Sequence, residues 1–227
     1  MSQELRPPQL ITNSRMLYFC WVPADPAACA ALLPAGLTPA ENKAIYINQY
    51  VVDSDAQTSH FGAYSLTYMG LDLDGLNVDG DTPGRFWTHY FNSNPGMRAY
   101  AAERGIPAES GKTELALAGG LLTATTYLGD GTALFRTTVH LSEDIGESVR
   151  GHLHYITELD GALESGRYAY VGDIVTPFEV RAIEFLVPEH PSYALRPAEP
   201  LDITFGFYSP NASFCYPGGV EPLLSSR

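Results

Sequence analysis

The feature that most constrains this chain is a succession of short apolar segments that alternate in strand fashion, separated by turn residues. MLYFCWV (16–22) is aromatic-rich and reads as a buried strand. AIYINQYVV (44–52) and AYSLTYMGLDL (63–73) alternate, and the polar DSDAQTSHFG between them fits a hairpin with a long loop. GLNVDGDTPG (75–84) is dense in turn residues, and RFWTHYFN (85–92) is another aromatic strand. The pattern then returns in ELALAGGLLTATTYL, GTALFRTTVHL, GHLHYITEL, RYAYVGDIVT, EVRAIEFLV and DITFGFYS. About two short helices interrupt it. In ADPAACAALLPAGL, Asp25 suits the N-cap, Pro26 the first helical position, and Pro34 and Gly36 stop the helix. In NPGMRAYAAERG, Asn94 caps, Pro95 opens, and Gly105 ends the helix in the left-handed conformation. The expected fold class is therefore mainly β (α+β), an antiparallel sheet closed or folded over itself into a barrel-like cavity.

The 227 residues, 45% of them hydrophobic, suffice for one sizeable core, and no linker-like stretch or fixed-period repeat divides them. A single domain over 1–227 is expected. The net charge of −13 offers no basic footprint for phosphate, so nucleic acid and anionic membrane surfaces are not expected partners. The N-terminal MSQELRPPQL has no apolar signal region, and no apolar run approaches a membrane span. The cysteines Cys20, Cys29 and Cys215 are odd in number and lack metal-type spacing. Reduced thiols in a cytoplasmic protein are expected, with Cys20 and Cys29 filling core space.

Walker A, GxGxxG, HExxH, GxSxG and CxxC motifs are all absent. His152 and His154 share one face of a strand and His140 lies on the strand before; all three read as ordinary strand residues rather than metal ligands. No metal and no cofactor is expected.

The residues from Asn13 to Leu115 carry something more specific. NSRMLYFCWV is followed by a helix ending in LLPAGL, a strand pair ending in FGAYSLTYMGL, and then YFNSNPGMRAYAAERGIPAESG. This order resembles the acetoacetate decarboxylase-like superfamily, whose members place an arginine before the first strand, then a proline-marked helix end, a GxY strand start, and a helix leading into a proline and two lysines. Past Leu115 the resemblance rests only on continued antiparallel strands. In that family the first lysine forms a Schiff base with a keto acid and the second lowers its pKa. Placed without gaps, the proline is Pro107, and the two lysine positions hold Ala108 and Glu109. The family's pocket glutamates fall on Leu66 and near Asn48, while the arginine is kept as Arg15. The resemblance implies the fold, a small-molecule cavity and a homo-oligomer, and it argues against the family's signature decarboxylation.

The expected catalytic residues are therefore Glu109, Arg15 and Lys112. A carboxylate at position 109, at the nominal cavity mouth and partly withdrawn from water, would shuttle protons. Arg15 would pair with a substrate carboxylate or enolate. Lys112, one of only two lysines beside Lys43, would need a shift or bulge of the loop GIPAESGKTEL to turn inward. Asn48, Tyr64, Ser65 and His89 are expected to bind a polyoxygenated substrate, and Arg85 and Arg98 read as surface or subunit-contact residues. The function that follows is a lyase- or cyclase-like enzyme of secondary metabolism. It would act on an enolisable carbonyl or polyketide-like compound by non-covalent acid/base and positional catalysis, in a dehydration, isomerisation, aldol-type or cyclisation step. A non-catalytic small-molecule binding protein and a decarboxylase using Lys112 are the alternatives.

Overall fold

The computed structural model describes residues 5, 7–77, 82–142 and 144–223. Parts of two stretches discussed above lie outside the described residues: 1–4 and 6 of the N-terminal decapeptide and 78–81 of the turn-rich segment. The strands are β1 (Gln9–Trp21), β2 (Ile45–Val52), β3 (Tyr64–Asp72), β4 (Gly84–Asn92), β5 (Ala108–Ala118) and β6 (Leu121–Leu128). They continue as β7 (Ala133–Leu141), β8 (Ile145–Leu159), β9 (Ala162–Val175), β10 (Phe178–Phe185), β11 (Ile203–Tyr216) and the two-residue β12 (Glu221–Pro222). Two helices, α1 (Pro26–Ala30) and α2 (Pro95–Ala102), sit where the capping residues predict. The Asp25 carboxylate accepts from the backbone N–H of Ala27 and Ala28, and the Asn94 side chain from those of Gly96 and Met97. Gly105 follows α2 at φ +70, where an added Cβ would lie 2.2 Å from the Glu158 carbonyl oxygen.

The strands pair in the order β10-β7-β6-β5-β4-β3-β2-β1-β11-β9-β12, and β8 joins both β9 and β4. The path β4-β3-β2-β1-β11-β9-β8 therefore returns to β4 and closes a seven-stranded barrel. All its pairings are antiparallel except the closure, where Gly84–Phe86 of β4 run parallel to His154–Ile156 of β8. The far half of β4 takes a different neighbour: Tyr90–Asn92 run parallel to Ala108–Ser110 of β5. From there β5, β6, β7 and β10 form a second layer against the outside of the barrel. A bulge at Met69/Gly70 bends β3 against β4, and glycine is required there, because a Cβ at position 70 would lie 1.8 Å from the Phe86 carbonyl oxygen.

Strands buried on both faces sort their side chains by parity. Along β1, Met16, Tyr18 and Cys20 face the barrel lumen, and Leu17, Phe19 and Trp21 face the seam between the layers. Along β2, Tyr46 and Tyr50 point in while Ile45 and Ile47 point out; β3 repeats this with Tyr64, Leu66 and Tyr68 against Met69 and Leu71. The second layer supplies Leu115, Leu122, Ala124, Phe135, Val139 and Val180 to the seam. Each large side chain fully buried there contributes about 1.5–3 kcal/mol. One end of the lumen is filled by Tyr50, Tyr64, Tyr90 and Phe214, with Met97 and Ala101 of α2 and Ile106 packed over them.

Two local readings are corrected. The stretch from Ala108 is strand rather than loop, because parallel pairing with β4 captures it directly after Pro107. The run ELALAGGLLTATTYL is two strands, since Gly119 and Gly120, both at positive φ, turn the chain between β5 and β6. No described helix is long and apolar enough to cross a membrane.

Candidate functional site

The end of the lumen away from α2 is open. It holds a cavity of about 500 Å³ whose walls come from β1, β2, β4, β8, β9 and β11. Five aromatic rings line it, those of Tyr18, Tyr168, Tyr170, Phe205 and Phe207. Met16, Leu153 and Pro83 add aliphatic surface, and Asn48, Thr82, Arg85 and His152 add polar groups.

Arg85 is the one cation in this lining. It stands directly across the β3/β4 hairpin from Asp72, and its Nε donates to Asp72 Oδ1 at 2.8 Å. Both side chains are largely buried, at 13% and 9% exposure. The guanidinium lies over the Tyr46 and Tyr18 rings, 5.3 and 5.5 Å from their centroids. Its terminal nitrogens make no hydrogen bond among the described residues, which leaves their N–H groups for a guest in the cavity. Burial pushes the Asp72 carboxyl above its ordinary range, and the charge and hydrogen bond of Arg85 pull it partly back.

A chain of neutral polar groups also runs along the lumen. Asn48 Nδ2 donates to the Tyr68 hydroxyl at 2.8 Å, and Tyr68 and Tyr168 share a hydrogen bond of 2.5 Å. Burial lifts Tyr68 to about 12, with the hydrogen bonds it shares with Tyr168 and Asn48 opposing, and burial lifts Tyr168 further. Both phenols therefore stay protonated near neutral pH and act as donors, not bases. The buried Asn48 Oδ1 has no hydrogen-bond partner among the described residues. His152 lines the cavity from an exposed position at the rim. Cys20 is held as a thiol, because burial raises it to about 12.

Of the residues expected from sequence, the structure brings only Asn48 to this cavity. Tyr64 is in the lumen but at the filled end, bonded to the Tyr50 hydroxyl at 2.7 Å. Ser65 faces the second layer, where its Oγ accepts from the Thr113 N–H. His89 is buried against Phe91, with Nδ1 3.0 Å from the Thr88 hydroxyl. Arg15 points outward and grips Asp53 through Nε and Nη2, at 2.8 and 2.6 Å, while Nη1 donates to the Leu115 carbonyl. Glu109 is half exposed and stands 3.9 Å from His190 Nε2 on the outside of the barrel. Lys112 is 62% exposed and paired with Glu114 at 2.6 Å, beside an open surface depression outside the barrel. The hydrogen bond that Lys112 donates to the Glu114 carboxylate raises the lysine pKa, the reverse of what a Schiff-base amine needs.

The placement of Glu109 and Lys112 follows from the strand character of β5. Buried Gly111, Thr113 and Leu115 alternate with exposed Lys112 and Glu114, so no loop bulge is present to turn the lysine inward. Ala108, which occupies the first lysine position of the gapless placement, packs against the lumen core. Arg85, expected at a surface, was the residue most clearly missed. The signal for it was parity: Tyr68, Gly70 and Asp72 share one face of β3, so an inward acid called for an inward cation on the next strand.

A second cavity, of about 20 Å³, lies at the α2 end between Gln9, Trp87, Tyr155 and Tyr216. The Gln9 carboxamide and the Trp87 indole N–H are buried there without hydrogen-bond partners among the described residues. It is too small for a metabolite.

No family model and no curated protein sequence matches the chain. Solved structures do. An acetoacetate decarboxylase from Legionella pneumophila superposes with a TM-score of 0.70 at 13% identity, over 96% of this chain and 87% of that one. The enduracididine biosynthesis enzyme MppR complexed with pyruvate gives 0.70 at 12% identity, over 97% and 91%. An acetoacetate decarboxylase-like enzyme from Sphingomonas wittichii gives 0.66 at 18% identity, over 99% and 96%. The closed barrel, the two helices and the near-complete coverage together show that this chain has the acetoacetate decarboxylase-like fold.

Proposed function

We propose that the chain is a small-molecule enzyme that takes an enolisable carbonyl compound into the barrel and acts on it without a covalent lysine intermediate. Dehydration, isomerisation, aldol-type and cyclisation steps all share the requirement for a stabilised enolate. The observation that carries this reading is the buried Arg85 at the wall of an aromatic cavity, its terminal N–H groups unbonded among the described residues. An enolate places its charge on oxygen, and a fixed cation in a water-poor site is worth most there. Tyr168 adds a neutral donor, and Asn48 fixes the Tyr68–Tyr168 pair from behind. His152 would carry the proton between the substrate carbon and solvent. The rings hold a flexible substrate in a reactive conformer, a contribution of position alone. The solved structure of a similarly folded enzyme with pyruvate bound supports a carbonyl-bearing guest.

The test is enolisation itself. Wild-type protein is incubated with 2-tetralone in D2O, and exchange at the carbons beside the carbonyl is followed by NMR. Exchange above the buffer rate is expected, falling about 100- to 1000-fold in Arg85→Lys, which keeps the charge for Asp72 but loses the fork. Borohydride quenching is expected to leave Lys43 and Lys112 unmodified. Exchange at the buffer rate for the wild type would overturn the enzyme reading, and retention of ligand without exchange would make the chain a binding protein.

A further inference from the structure

The reading above leaves the shape of the guest open, and the cavity wall has a directional feature that bears on it. Phe205 and Phe207 both point inward from β11 on either side of Gly206, and their rings meet edge to face at 6.0 Å. Phe207 stacks on Tyr18 with centroids 5.5 Å apart and planes 25° from parallel. The Arg85 guanidinium in turn covers Tyr18 at 5.5 Å. Rim, wall and cation are thus joined in one unbroken series of π surfaces. At the outer end Phe205 is 56% exposed, an unusual position for a large ring that has a lumen to enter. At the inner end the guanidinium is held by a single Nε contact to Asp72, with its remaining N–H groups unbonded among the described residues.

We infer that the guest is a planar, conjugated molecule with an acidic oxygen at one end, the oxygen seated on Arg85 and the flat body laid along Tyr18, Phe207 and Phe205, with Phe205 selecting conjugated over saturated bodies. This rests on the cavity described above being the functional site, but not on any enolisation taking place. Two magnitudes separate the contributions. A charge-assisted hydrogen bond to the guanidinium favours an anionic oxygen over a neutral isostere by about tenfold to a hundredfold. An offset ring stack adds roughly twofold to tenfold beyond the area it buries, so a saturated body of equal size loses that factor.

The inference is tested with three probes of nearly equal outline, 2-naphthoate, 2-naphthamide and decahydro-2-naphthoate, titrated calorimetrically into the full chain. 2-Naphthoate is expected to bind at least tenfold tighter than the amide and about twofold to tenfold tighter than the saturated acid. In Phe205→Leu the preference over the saturated acid disappears while the preference over the amide remains; in Arg85→Lys the preference over the amide falls. Melting curves of both variants check that they fold, and Phe205→Leu, at an exposed rim position, is expected to melt with the wild type. Equal binding of 2-naphthoate and its saturated analogue, or of 2-naphthoate and the amide, would overturn the proposal. So would retention of the aromatic preference in Phe205→Leu. 2-Naphthoate has no enolisable carbon, so its affinities stand even if 2-tetralone exchange fails. Conversely, exchange with indifference to the probes keeps the reaction and removes this ligand class.

Discussion

The lumen and the seam are built from opposite faces of the same three strands, yet they differ in kind. Toward the seam, β1, β2 and β3 present Leu17, Phe19, Trp21, Ile45, Ile47, Met69 and Leu71, which pack against the second layer. Polar groups there are tied into short chains, such as Gln49 to Thr126 and Thr126 to Thr67 and on to Thr113. Toward the lumen the same strands present Tyr18, Tyr46, Asn48, Tyr50, Tyr64 and Tyr68, and space for a guest remains at one end. One residue of register divides scaffold from site. The seam fixes the strand positions, and the lumen uses that rigidity to aim hydroxyls, an amide and a guanidinium at a common space.

If that division is right, substitutions on the two faces have separable consequences. The largest expected effect is in the seam. Phe135→Ala removes a ring that is fully buried between Phe91 and Phe185, and should cost about 3–5 kcal/mol in denaturant unfolding while probe affinity of the folded fraction is unchanged. A shift in probe affinity would break the comparison. Next comes a pH effect at β4. Burial, and secondarily the neighbouring His190, lowers the His89 pKa from 6.5 to about 4. The unfolded chain therefore binds a proton that the folded chain refuses between those values, so stability should fall by about 3 kcal/mol as pH drops from about 6.5 to about 4. His89→Gln should flatten that part of the profile; an unchanged slope would remove His89 as its source. In the lumen, Tyr168→Phe should change stability by no more than about 1.5 kcal/mol, because the Tyr68 hydroxyl keeps its bond from Asn48. Its effect should appear instead as slower 2-tetralone exchange. Smallest of all, Glu109→Gln should leave stability within about 0.5 kcal/mol and exchange unaltered, since the carboxylate is half exposed outside the barrel. Loss of exchange in that variant would return Glu109 to the site.

Much of the fold was legible because its signals are local. Asp25–Pro26 and Asn94–Pro95 mark the two helix starts, an unbroken apolar run marks MLYFCWV, and strand alternation marks AIYINQYVV, whatever their partners. The capture of 108–118 as a strand was not legible, because it depends on parallel pairing with β4 and not on the glycine and serine in that stretch. The site was harder still. Motif placement put weight on Glu109 and Lys112, whose direction is set by which face of β5 meets the barrel, and of the expected residues only Asn48 lines the cavity. Arg85, Tyr168 and Tyr170 carry no motif. Their significance comes from facing one another across the lumen, and that information resides in the pairing of distant strands.

The closure of the barrel by β4 and β8 has one more consequence. Gly84 and His154 meet although roughly seventy residues of chain separate them, so the contact forms only against a loop-closure cost. Until β8 arrives, Arg85 has no enclosure and the rings of β9 and β11 have no cation to face. The pocket is therefore a property of the finished circuit, absent from every fragment of it, and a chain shortened ahead of β8 would inherit the strands yet own no receptor at all.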